Sequence, residues 1–134
     1  MPAKNFFDTN VLLYLLQQDQ IKTQRAMTLL RAGGSISVQV LNEFTHNARR
    51  KFKLDWTVVD EFTLAFLSSL EVVPLTAATY RQGRYLAERY QLQLYDAMIL
   101  AAALEAGATT LYSEDMHDGL LVEGQLKIRN PFAG

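Results

Sequence analysis

The chain has 134 residues with 49% hydrophobic and 20% charged residues, enough apolar content for one folded core and too much for a disordered tail. It contains no cysteine, which removes disulfides, thiolate catalysis and cysteine-ligated zinc, and only two histidines, His46 and His117. Its net charge of −1 hides an asymmetry: residues 1–53 carry eight Lys/Arg against Asp8, Asp19 and Glu43, while residues 54–134 carry five against eleven acids.

In chain order, Phe6-Phe7 is a short strand, and the following Asp-Thr-Asn caps a helix beginning near Val11. A second helix runs from about Asp19 to Arg31 and stops at Gly33-Gly34. Ser35-Ile36-Ser37 is a second strand. Residues 38–52 carry Leu41, Phe44, Ala48 and Phe52 at helical spacing. Asp55 caps a helix over 56–69, Glu71 to Leu75 forms a strand ended by proline, and Thr76 opens a helix reaching about Tyr90. Residues 95–105 are apolar on nearly every side, the mark of a helix buried between neighbours. Gly107 ends it. Thr109 to Tyr112 is a fourth strand, a turn-rich stretch follows, and Leu126-Lys127-Ile128 closes the set.

Strands alternating with helices predict an α/β fold, a three-layer α/β/α sandwich with a mostly parallel central sheet, in a single domain over residues 1–134. No run approaches the length of a membrane span, and the first residues lack the apolar centre of a signal peptide, so a cytoplasmic protein without membrane contact is expected.

Open parallel sheets bind ligands beyond the carboxyl ends of their strands. Asp8 follows the first strand, Asp115 lies just past the fourth, Glu43 lies on the helix after the second, and Asp96 begins the buried helix. Each has an ordinary alternative. Asp8 and Asp96 sit where helix caps sit, Asp115 lies in a turn, and Glu43 shares a helical face with His46, Asn47 and Arg50 that solvation alone explains. Together they raise an energetic question. Two like charges ~5 Å apart at an effective dielectric of ~20 repel by roughly 3 kcal/mol. Either some of these acids hold protons or a cation sits among them. Oxygen donors without cysteine favour Mg²⁺ or Mn²⁺ over zinc, and such an ion acidifies water and stabilises charge on phosphoryl oxygens.

The segments Phe6-Phe7-Asp8-Thr9-Asn10-Val11-Leu12, Val40-Leu41-Asn42-Glu43-Phe44, Tyr95-Asp96-Ala97-Met98-Ile99 and Ser113-Glu114-Asp115 resemble, in this order, the PIN domain and in particular the VapC-type toxin nucleases of prokaryotic toxin–antitoxin pairs. The ending Ile128-Arg129-Asn130-Pro131-Phe132 is similar to a common close of such chains, and the likeness covers nearly the whole sequence. The resemblance implies a metal-dependent endoribonuclease in which Asp8, Glu43, Asp96 and Asp115 are catalytic and hold Mg²⁺ or Mn²⁺. Asn10 and Ser113 would support them, and Asp118 is a candidate auxiliary acid, although Asp118-Gly119 also reads as a turn. RNA is the substrate that the family implies; the chemistry alone does not separate it from DNA. Arg49, Arg50, Lys51, Arg81 and Arg84 are candidate contacts to RNA phosphates, with Arg89 further round its helix. A small antitoxin protein and a homodimer are the partners the resemblance implies, and the apolar early helices would offer the antitoxin a groove. Members of the family often carry an aromatic after the last acid; here Met116-His117-Asp118-Gly119 follows instead. A non-catalytic PIN-like module that binds nucleic acid or another protein is the alternative. A haloacid-dehalogenase-type phosphatase is disfavoured because Asn10 stands where its second aspartate belongs, and a receiver domain because the early acidic pair is missing.

Overall fold

The computed structural model describes residues 4–133. Strand β1 (Asn5–Phe7) leads into helix α1 (Thr9–Leu13) and one turn of 3-10 helix at 14–16. Then come α2 (Gln20–Arg31), β2 (Ser35–Ser37), α3 (Val38–Arg50), α4 (Trp56–Ser69) and β3 (Glu71–Val73). The second half adds α5 (Ala77–Tyr90), α6 (Leu94–Glu105), β4 (Thr110–Tyr112), β5 (Leu121–Val122) and β6 (Leu126–Arg129).

Local chemistry sets most helix starts. Asp8, Asp19, Ser37 and Asp55 each accept a hydrogen bond from a backbone N–H in the first turn of the helix that follows. Thr76 and Thr79 form a reciprocal capping box at the start of α5. Three results differ from the sequence expectation. The first helix starts at Thr9, two residues early, because Asp8 itself is the cap. Strand β3 ends at Val73, before Pro74, which has no N–H to continue the ladder. Leu121–Val122 pairs antiparallel with β6 as a two-residue edge strand, too short to leave a periodic signal in a turn-rich stretch.

The strands lie in the order β3-β2-β1-β4-β6-β5, and every pair is parallel except β5 with β6. Helices flank this mostly parallel sheet, as predicted. Phe6, Phe7, Ile36, Leu111 and Ile128 are fully buried strand residues, and seven successive residues of α6, Ala97 to Ala103, are buried. That unbroken burial is why α6 reads as apolar all round. Gly34 enters β2 with φ +151°, where a Cβ would lie 2.7 Å from the Asn5 carbonyl oxygen and the Phe7 ring. No helix among the described residues is long and apolar enough to cross a membrane. The consequence for function is the reversal of strand order: β2 lies on one side of β1 and β4 on the other, so a crevice opens beyond Phe7 and Tyr112.

Candidate active site

Asp8 is at the end of β1, its N–H donating to the Tyr112 carbonyl at 3.0 Å, so the ladder with β4 fixes its backbone at the crevice. The residue is only 5% exposed, and its carboxylate accepts from Thr9 N at 2.7 Å, Ser113 Oγ at 2.7 Å and Asn10 Nδ2 at 3.1 Å. Burial raises its pKa from 3.8 to about 6. The Ser113 and Thr9 hydrogen bonds oppose that rise, and the charges of Asp96 and Glu43 add to it.

Ser113 is fully buried and serves two elements at once. Its Oγ donates to Asp8 and accepts from the backbone N–H groups of Asp115 and Met116, both at 3.2 Å. Asn10 spans the same gap, accepting from Glu114 N at 3.1 Å while its amide reaches Asp8 and, at 3.3 Å, Asp115. The loop after β4 is thereby tied to the end of β1 by side chains as well as by the ladder.

Glu43 joins from α3, accepting from Thr9 Oγ1 and from Gln39 Nε2, each at 2.8 Å. Asp96, in the first turn of α6, is partly buried; its pKa is raised by burial first and then by the charges of Glu43 and Asp115. Asp96 thus links the group: it lies within electrostatic reach of Glu43 and of the exposed Asp115, and the buried Asp8 within reach of Asp96 and Glu43. Among the described residues, however, no three His, Cys, Asp or Glu side chains converge tightly enough to hold an ion as they stand. Each of Asp8, Glu43 and Asp115 instead points oxygens at a protein hydrogen-bond donor. The donor set suits a hard divalent cation, because it is all oxygen and carries a repulsion that such a cation relieves.

Asp118 has another task. Its Oδ1 accepts from Asn130 N at 2.8 Å, bracing the turn with Gly119 (φ +90°) against the segment after β6. Among the basic candidates, Arg50, Lys51 and Arg81 are exposed, and Arg84 is paired with Glu88 at 2.7 Å. Arg89 pairs with Glu123 at 3.1 Å, and Arg49 donates to the Leu54 carbonyl at 3.0 Å.

Sequence reasoning missed a second tier. Glu114 turns away from Asp115 to accept from Lys22 Nζ at 2.6 Å and Tyr14 OH at 2.7 Å. Burial pushes its carboxyl up, but those two hydrogen bonds outweigh burial and leave it below the usual range. Lys22 also lies over the rings of Tyr14 and Phe132. No spacing rule links Lys22 with Glu114 across the chain. Gln39 and Glu43, by contrast, are an i,i+4 pair that a helix surface predicts.

A family model described as PIN domain matches residues 6–117. No curated protein matches the sequence. Among solved structures, the chain is similar to a toxin–antitoxin complex from Klebsiella pneumoniae, with TM-score 0.71, 23% identity and 98% of each chain covered. It is similar also to VapC20 of Mycobacterium tuberculosis, described as a sarcin-ricin loop cleaving toxin, with TM-score 0.69 and 19% identity over 84% of this chain and 90% of that one. DNA-bound VapBC from Salmonella typhimurium gives TM-score 0.66 and 19% identity, covering 95% and 98%.

Proposed function

The chain belongs to the PIN-domain family, and on that premise we propose that it is a metal-dependent endoribonuclease that hydrolyses RNA phosphodiester bonds as the toxin of a toxin–antitoxin pair. The observation that carries this reading is the gathering of Asp8, Glu43, Asp96 and Asp115, from four separate segments, at the crevice where the strand order reverses. A domain gains nothing in stability from placing like charges together, with one of them buried and its carboxyl raised to about 6. Function is the economical reason.

In this reading Asp8, Asp96, Asp115 and Glu43 hold Mg²⁺ or Mn²⁺, which when bound supplies activation of water and neutralisation of charge on the phosphodiester. Asp8 is the fixed member, its carboxylate oriented from three sides by Thr9, Asn10 and Ser113. Asn10 and Ser113 set the distance between the ends of β1 and β4, and with it the position of Asp115. Glu43 is held by Thr9 and Gln39 and is the acid best placed to act through water. Asp118 braces its turn through Oδ1 and is the candidate auxiliary acid. Arg50, Lys51 and Arg81 remain as exposed cations for the phosphate backbone.

The antitoxin belongs to the same proposal. A hollow of about 500 Å³ between α2 and α4 is lined by Leu15, Met27, Leu30, Phe62 and Phe66, and it suits the apolar face of a partner helix. A homodimer is the proposed assembly of the toxin. The test of the activity is incubation of the purified protein with single-stranded and structured RNA, with EDTA, Mg²⁺ or Mn²⁺. Metal-dependent cleavage that disappears in Asp8→Asn and Asp96→Asn supports the nuclease; tight RNA binding with no turnover in any metal supports the non-catalytic module instead.

A further inference from the structure

Trp56, the first residue of α4 and the sole tryptophan of the chain, is 57% exposed. The Arg49 guanidinium lies 4.5 Å from its ring centroid and also donates to the Leu54 carbonyl, so both side chains are held in place. With Thr45, His46 and Arg50 they line a hollow of about 380 Å³ on the surface of α3 and the start of α4. No acid lines it. The same helix carries Glu43 into the crevice, and His46 and Arg50 share its face, about 10 Å of axial rise separating Glu43 from Arg50.

We propose that this hollow is a nucleic-acid subsite, in which an unpaired base of the RNA strand stacks on the Trp56–Arg49 pair while Arg50 and Lys51 contact its phosphates. The proposal rests on the nuclease reading and extends it along the strand, away from the acids. The chemistry favours this occupant: a flat, partly apolar ring system joined to negative charge matches an indole, a guanidinium and adjacent free cations. A neutral or basic protein surface would leave the same cations without partners. The preference is for single-stranded RNA, because a paired base has no free face to stack.

Tryptophan fluorescence provides a direct readout, since Trp56 is the sole emitter of its kind. In EDTA, titration with a 12-nucleotide single-stranded RNA should quench that emission, and the same sequence annealed to its complement should quench it less. Trp56→Ala should weaken binding of the single strand at least about fivefold while Trp56→Phe retains most of it. In Mn²⁺, the loss in Trp56→Ala should fall on KM rather than kcat. Unchanged RNA affinity in a folded Trp56→Ala protein, judged by circular dichroism, overturns the subsite. So does a change in sedimentation without a change in RNA affinity, which would make this face a protein interface. The two proposals fail separately. Cleavage that depends on Asp8 with a silent Trp56 removes the subsite alone, and quenching without cleavage in any metal removes the nuclease alone.

Discussion

Asp8 provides a quantitative test of the electrostatics. Its carboxyl is raised from 3.8 to about 6 by burial, so the folded protein binds this proton more tightly than the unfolded chain. The full shift of about 2 pH units corresponds to about 3 kcal/mol. The sign follows from linkage: the contribution is complete below about 4, and it is lost as pH rises through about 6. Between pH 8 and pH 5 only part is regained, about 1.4 kcal/mol. The perturbation is Asp8→Asn, which removes the titration. It also turns one acceptor into a donor facing Ser113 Oγ and Asn10 Nδ2, a cost that does not vary with pH. Urea unfolding of both proteins in EDTA at pH 5, 6, 7 and 8 isolates the titrating part. The wild type should gain about 1.4 kcal/mol relative to Asp8→Asn on going from pH 8 to pH 5. Saturating Mg²⁺ at pH 8 should stabilise the wild type and leave Asp8→Asn nearly unchanged. A difference between the two proteins that is flat with pH, or that grows the other way, would refute the claim that burial dominates at this carboxyl.

Ser113→Ala leaves the N–H groups of Asp115 and Met116 without their acceptor and should cost about 2–3 kcal/mol in denaturant melts, with a still larger proportional loss of activity. Gly34→Ala places a Cβ against the Asn5 carbonyl oxygen at a φ of +151° and should cost about 2 kcal/mol or more, read as a fall in Tm, while Gly33→Ala meets no atom within 4 Å and is limited to its backbone strain. Glu114→Gln removes the ion pair with Lys22 and keeps a hydrogen-bonding shape; as Glu114 lies below the usual carboxyl range, its contribution is present at neutral pH and lost as pH falls, so wild type and variant should converge in stability under acid conditions.

Much of the fold is local chemistry and was legible for that reason. Asp19 and Asp55 announce α2 and α4 by their capping carboxylates, Gly33 ends a helix, and the continuous apolar run of α6 states its burial. The edge strand at Leu121–Val122 was not legible, because two residues carry no period and its pairing with β6 is set by a turn. The candidate site divides in the same way. Asp8 and Asp115 could be placed beyond strand ends by the general geometry of parallel sheets. What turns that placement into a structured crevice is Ser113 and Asn10, whose hydrogen bonds to Asp8 and Glu114 span 105 and 104 residues of sequence, and the Lys22–Tyr14–Glu114 cluster, which no pattern announces. Asp118 adds a contact that spacing does not announce: three residues past Asp115, its Oδ1 accepts from the Asn130 N–H and braces the turn there. Trp56 was visible only as a helix residue; its pairing with Arg49 needs the bend at Lys53, where φ is +56° and α3 gives way to α4.

The central claim is that these carboxylates, scattered in sequence and mutually repulsive, form a site for a hard divalent cation. Calorimetric titration of Mn²⁺ into the wild type, Asp8→Asn and Asp96→Asn at pH 7.5 tests it most directly. Saturable binding by the wild type, weakened at least about tenfold in both folded variants, is the expected result; equal binding by all three, or none by the wild type, would contradict it.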